Sequence, residues 1–172
     1  MTDAPATPQD RFTQWVGTAF GLGYAPMASG TFGAAPGALL AYGAAVASAH
    51  WALPAQLAGQ ALFALLLSVL AIPICDVSER LFGEKDDGRI VADEMLTFPV
   101  CTIGIPLLAA PWWMLGAFFV INRVSDIVKP APARRLQDLH GGLGVVADDF
   151  VACLYALAAN HAIYWGWRFW CG

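Results

Sequence analysis

Charge is scarce in this chain. Lys, Arg, Asp and Glu make up only 13% of its 172 residues, against about 25% in a typical soluble domain. The formal net charge is −4, so no basic surface is available to hold nucleic acid, and none is expected as a partner. Cysteine is sparse too. Cys75, Cys101, Cys153 and Cys171 lie far apart, without a C-x-x-C pair or histidines at zinc spacing, so buried free thiols are expected rather than a metal knuckle or a disulfide framework. Neither the G-x-x-x-x-G-K-[ST] of a phosphate-binding loop nor the G-x-S-x-G of a nucleophile elbow occurs. His50, His140 and His161 are scattered; each reads as structural, with His140 the one to watch. No stretch alternates with period two, which argues against strands.

Apolar length is what the chain has in quantity. Hydrophobic residues account for 58% of it, and its mean hydropathy is +0.58. Residues 1–14 form a polar N-terminal tail without a basic leader, so no signal peptide is expected. The rest, 15–172, reads as one helical membrane domain. Phe32 to Ala49 is an apolar run containing Gly33-x-x-x-Gly37, a spacing that lets another helix come close. Leu53 to Cys75 is the clearest spanning segment, since a bilayer core takes about 20 residues. Leu96 to Ile121 is apolar but broken by Pro99, Pro106 and Pro111, and Val145 to Trp167 is the last run. Trp165, Trp167, Phe169 and Trp170 have the make-up of an interfacial aromatic belt. The fold expected is all-α: a multi-pass helical membrane bundle with a proline-broken hairpin and two polar active-site loops. Those loops are Asp76–Glu94 and Asn122–Gly144.

Carboxylates stand at the edges of these greasy runs, in pairs. Asp93-Glu94 precedes Met95-Leu96, and Asp148-Asp149 precedes Phe150-Val151. Acids at helix N-termini are ordinarily favoured by the macrodipole, by about 0.3–1 kcal/mol each. That explains their position but not their doubling, because neighbouring like charges repel. Acids inside a membrane segment are functional by default. A third polar group, Arg123, Asp126 and Lys129, has i, i+3, i+6 spacing and so shares one broad helical face. Simple helical ion pairs would account for it. So would a phosphate site, in which lysine and arginine neutralise phosphate while carboxylates hold hard Mg²⁺. Pro130 should end that helix. Gly30 and Thr31 could present N–H groups and a hydroxyl to an anion at a helix start.

Four blocks in order, P-M-A-S-G-T-F-G, D-D-G-R-I-V-A-D-E, R-V-S-D-I-V-K-P-A-P and H-G-G-L-G-V-V-A-D-D, together resemble the signature of the phosphatidylglycerophosphatase A family, Mg²⁺-dependent lipid phosphatases of bacterial phospholipid synthesis. The resemblance runs from about Gly21 to Tyr155. It implies hydrolysis of the terminal phosphomonoester of phosphatidylglycerophosphate, in the bacterial inner membrane, and Arg134 and Arg135 favour a cytoplasmic active face. Asp86, Asp93, Glu94, Asp126, Asp148, Asp149, Arg123, Lys129, Gly30, Thr31, Gly141 and Gly142 match polar or glycine positions of the pattern. The roles implied are metal ligation by Asp93, Glu94, Asp126, Asp148 and Asp149, with Asp86 a further candidate. Phosphate would be held by Arg123, Lys129, Gly30 and Thr31, and the catalytic set is Asp93, Glu94, Asp126, Lys129, Asp148 and Asp149. Two positions depart from the pattern: Ser29 stands for a proline and Thr97 for a glycine. A phosphatase of another lipid phosphate and a non-catalytic cation-binding or transport protein are the alternatives; oligomeric state is not legible.

Overall fold

The computed structural model describes residues 7–171, so the first six residues of the polar tail lie outside what is described. Seven α-helices are present among the described residues: α1 (Pro8–Gly17), α2 (Ser29–Ala47), α3 (Leu53–Phe82), α4 (Ala92–Thr97), α5 (Trp112–Val128), α6 (Ala133–Leu136) and α7 (Gly142–Cys171). No strand occurs among them. Three helices, α2, α3 and α7, are long and apolar enough to cross a membrane. They agree with the apolar runs of the sequence, and α3 and α7 outlast theirs, because helix can continue into water. The extra turns of α3 carry Asp76 and Arg80 as an i, i+4 pair.

The polar tail is partly structured. Thr7 and Asp10 cap α1 reciprocally, each side chain accepting the other's backbone N–H. Helix α1 leaves Phe12 and Trp15 exposed and is tied to the chain ahead of α4, where the Val91 N–H donates to the Gly17 carbonyl at 2.9 Å.

The proline-rich run folds back on itself as a hairpin. Its first limb is α4, continued by a 3₁₀ stretch over Phe98–Thr102. At 1.5 and 2.0 Å per residue this limb is roughly 19 Å long, short of the ~30 Å hydrocarbon core. The chain then bends through Gly104 (φ 74°) and a 3₁₀ turn at Leu107–Ala109, and Pro111 caps the returning limb, α5. Backbone that leaves a regular helix inside an apolar bundle must find partners within the protein, since each unsatisfied group costs several kcal/mol. Polar side chains from the flanking helices supply them. Gln60 of α3 accepts from the Gly104 N–H at 2.9 Å. From α7, Asn160 donates to the Cys101 carbonyl at 2.9 Å and His161 to the Ile103 carbonyl at 2.8 Å. His161 is thus structural, as expected; His140 is exposed.

Close packing seats this hairpin. A Cβ on Gly37 would lie 2.5 Å from the Met95 carbonyl oxygen and 2.6 Å from Phe98 Cβ, so the glycine pair of α2 admits the first limb rather than a second full helix. Three apolar clusters run down the bundle, the last joining Ala45, Ile105, Met114, Phe118 and Tyr164 around the bend. Cys75, Cys101 and Cys153 are buried free thiols and Cys171 is an exposed one.

Both polar loops emerge at one end. The Lys85 ammonium donates to the Gln137 carbonyl at 2.8 Å, joining the α3–α4 loop to the stretch between α5 and α7. Single-cysteine labelling at Glu84 and Arg135, in a background freed of the native cysteines, should therefore modify both from the same side of a sealed vesicle. Modification from opposite sides would refute the hairpin.

Candidate active site

The paired acids divide their work by geometry. Successive residues on an α-helix point about 100° apart, so each member of a pair faces a different neighbour. Asp148 faces the Lys129 ammonium, with which it pairs closely. Asp149 turns toward α4, where one oxygen each from Asp93, Glu94 and Asp149 lies within 4.8 Å of the others. Its Oδ1 is also 3.1 Å from Lys129 Nζ. Capping does not explain Asp148 and Asp149. They stand six and seven residues past Gly142, where α7 begins, and the macrodipole effect fades within the first turn. Both are buried, as is Asp93.

Helix α5 brings the cations. Arg123 Nη2 is 3.7 Å from Glu94 Oε1, and Nη1 is 3.0 Å from Asp126 Oδ2. Lys129, in the left-handed region at the C-cap before Pro130, is 3.7 Å from Asp126 Oδ1. The helical ion pairs and the convergent site are therefore the same residues. The remaining candidates fall at the margins. Asp86 is exposed, and its N–H donates to Glu79 at 2.7 Å. The Thr31 N–H is spent on the Ala28 carbonyl. Gly141 and Gly142 pack on α3, where a Cβ on Gly142 would sit 2.6 Å from the Asp76 amide nitrogen. Gly30 lies directly under the site: a Cβ there would run into Glu94 Oε1 and lie 2.7 Å from Arg123 Nη2.

The two departures from the family pattern are accommodated by hydrogen bonds. Ser29 Oγ donates to the Gly88 carbonyl at 2.6 Å, tying the first block to the second. Thr97 Oγ1 donates to the Asp93 carbonyl at 2.7 Å and accepts from Cys153 Sγ at 3.6 Å. Asn122 donates to the same sulfur at 3.2 Å, which ties α4, α5 and α7 together just beneath the acids. Sequence reading missed Asn122 and Cys153, because a single amide or thiol in an apolar run carries no spacing signal.

Electrostatically the site is unfinished. Five carboxylates face two cations, leaving three surplus negative charges if all ionise. Asp93 Oδ1, Glu94 Oε2 and Asp126 Oδ1 are buried without a hydrogen-bond donor, and Arg123 Nε is buried without an acceptor. Each such group costs about 1–3 kcal/mol, a cost that a ligand pairing with them would recover. Carboxylate oxygens are what a hard divalent cation takes, and the unpaired guanidinium Nε–H suits an oxyanion. The trio Asp93, Glu94 and Asp149 fits such a cation. The strain appears in the acids themselves. Burial, reinforced by Glu94 and Asp126, pushes the Asp93 carboxyl well above its usual range. Burial and the nearby Asp149 and Asp126 push Glu94 up to about 8 against the relief given by Arg123.

A membrane-embedded helical protein in which buried carboxylates and cationic side chains converge on one point has the construction of a metal-assisted phosphoryl-transfer enzyme. The chain belongs to the phosphatidylglycerophosphatase A family, whose model matches residues 15–164. Among its relatives, a Bacteroides thetaiotaomicron protein provisionally named phosphatidylinositol-3-phosphatase is 36% identical over 157 residues, covering 87% of this chain and 92% of that protein. The phosphatidylglycerophosphatase A of Escherichia coli is 31% identical over 136 residues, covering 77% and 72% respectively. That of Haemophilus influenzae is 34% identical over 106 residues, covering 60% and 64%. No solved structure matches the chain.

Two outcomes follow from this geometry. Gly30→Ala adds a methyl group against the mobile tips of Glu94 and Arg123 rather than against backbone. It should cut turnover while unfolding stability stays within about 1 kcal/mol of wild type; a folding defect with normal turnover per folded molecule would contradict the close approach. Glu94 is protonated more readily in the folded state. Its contribution without metal is therefore full below its ordinary value of 4.5 and is lost as pH rises through about 8. A divalent cation needs the ionised form, so the rise in Tm it produces should grow from about pH 6 to about pH 8.5. A pH-independent rise would contradict the assignment.

Proposed function

We propose that this protein hydrolyses the terminal phosphomonoester of phosphatidylglycerophosphate, giving phosphatidylglycerol and inorganic phosphate, with Mg²⁺ as its cation. The observation that carries this is the meeting of Asp93, Glu94 and Asp149 with Arg123 and Lys129 in a single buried cluster. Bare carboxylates would repel a phosphate dianion, and a cation path gains little from two fixed positive charges beside its ligands. Carboxylates and cations together suit a phosphate bound through a metal, which favours the enzyme over a cation carrier.

Asp93, Glu94 and Asp149 would hold the metal, with Asp126 and Asp148 beside them. Bound there, Mg²⁺ would offset negative charge on the phosphate and lower the pKa of a coordinated water. Arg123, through its unpaired Nε, and Lys129 would bind the non-bridging oxygens and orient the ester. Asp148 and Asp126 keep those two cations in place through the pairs described above. Water adds to phosphorus as the bond to the glycerol oxygen breaks, and that oxygen takes up a proton. The acyl chains remain in the bilayer.

Placement in the bacterial inner membrane with the site facing the cytoplasm is supported by the family and by the basic residues Lys85, Arg89, Arg134 and Arg135 of the two polar loops. A second lipid is favoured by the name of the Bacteroides relative. Phosphatidylglycerophosphate and phosphatidylinositol 3-phosphate both set a phosphomonoester and a phosphodiester on the outer carbons of a three-carbon unit, with a hydroxyl between them. Phosphate release by purified protein from these two lipids and from phosphatidic acid, with and without EDTA, tests the reading. Metal-dependent release, fastest from phosphatidylglycerophosphate, supports it, and release from none of them sinks it.

Asp93→Asn and Asp149→Asn should each remove most turnover with the fold retained. Lys129→Ala should lower kcat/KM by about 10²-fold, the scale set by losing one oxyanion donor. Arginine at that position should restore only part, because a planar fork does not reproduce a compact ammonium. Unchanged kcat/KM in Lys129→Ala would return that residue to a purely structural ion pair.

A further inference from the structure

The three elements that meet at the site separate again just below it. Gly30 of α2, Glu94 of α4 and Arg123 of α5 converge. Four residues beyond Glu94 is Phe98, five before Arg123 is Phe118, and eight beyond Gly30 is Ala38. These three, with Tyr42, Leu107 and Leu115, line an apolar cavity of about 210 Å³. Its inner wall is buried at Phe98 and Phe118, and its outer edge is open at Tyr42. Phe98 also packs on Phe119 at 5.8 Å, one turn before Arg123, so the polar site passes straight into the apolar wall. A larger recess of about 360 Å³ lies between α2 and α3 under Trp51, at the end of the bundle away from the acids, and has no such continuity.

We infer that the α2–α5 groove is the subsite for one acyl chain of the lipid substrate, an inference that rests on the lipid-phosphatase reading above. The spacing suits it. The groove starts roughly 6 Å along the helix axis from Glu94, and Ala38 lies roughly 12 Å from Gly30. In phosphatidylglycerophosphate about eleven bonds separate the terminal phosphorus from the first acyl carbonyl, on the order of 12–14 Å when extended. A phosphate held by Arg123 and Lys129 therefore delivers its first methylenes past Phe118, alongside Ala38 and Leu115. The opening lies at exposed Tyr42, on a helix apolar enough to span a bilayer, so a lipid would enter sideways without leaving the membrane. Packing one tail beside the re-entrant limb that carries Asp93 and Glu94 makes acyl length part of substrate positioning.

The test is the ratio of kcat/KM for dioleoyl over dihexanoyl phosphatidylglycerophosphate, in one detergent, for wild type, Ala38→Leu and Leu115→Phe. Both substitutions fill the groove, from opposite walls, and neither touches the acids or cations. The ratio should fall about tenfold in each, and the second variant carries the test should the first not fold. An unchanged ratio in the folded variants overturns the acyl subsite while leaving the phosphatase reading intact. Absence of phosphate release from either lipid by wild-type protein would instead remove the phosphatase reading, and the subsite with it.

Discussion

Like-charge repulsion inside a poorly polarisable bundle is the constraint that the rest of this structure answers. Carboxylates from α4, α5 and α7 are held together at the end of an apolar protein, where each ionised group is expensive. Arg123 and Lys129 offset part of that charge and a bound cation would offset more. The elements have to be positioned closely enough for this to work. Gly30 and Gly37 let α2 lie against α4, and the Asn122–Cys153–Thr97 chain fixes three elements one turn below the acids. Stability and function pull against each other here: the buried, unpaired oxygens of Asp93 and Glu94 cost folding energy and are also the groups able to take a metal.

The same constraint explains the hairpin that turns back inside the bundle. A single crossing between Glu94 and Arg123 would put the two at opposite ends of the bundle, and no site could form. Turning back inside the protein solves that problem at the cost of an irregular backbone at depth. Gln60, Asn160 and His161 meet that cost with three hydrogen bonds, so residues far from the chemistry hold its geometry. The acyl groove would exploit the same architecture, because the limb that turns back leaves room beside α2.

Much of this was legible in the sequence, and for identifiable reasons. Apolar length marked α2, α3 and α7, since a bilayer demands it, and prolines at 99, 106 and 111 marked a broken hairpin because they cannot continue a helix. The doubled acids and the Arg123–Asp126–Lys129 face announced a site, being too costly to bury idly. What stayed hidden depends on contacts between distant segments. Lone polar residues such as Gln60, Asn122 and Asn160 look like noise inside an apolar run until their partners are seen. Asp148 and Asp149 read as helix-terminal because the glycines before them suggest a loop, whereas α7 already begins at Gly142 and absorbs Gly144. Helix α1 was masked by its polar composition; its reciprocal cap pairs Thr7 with Asp10 rather than with the usual glutamate or glutamine.

The central claim is that Asp93, Glu94 and Asp149 form one divalent-cation site. Titration of the purified protein with Mn²⁺ as a paramagnetic stand-in for Mg²⁺, followed by the loss of the free-ion resonance, tests it without reference to any substrate. Wild-type protein should bind the ion saturably and in competition with Mg²⁺, and Asp149→Asn should lose that binding while keeping its helical content. Equal binding by the folded Asp149→Asn variant would contradict the account.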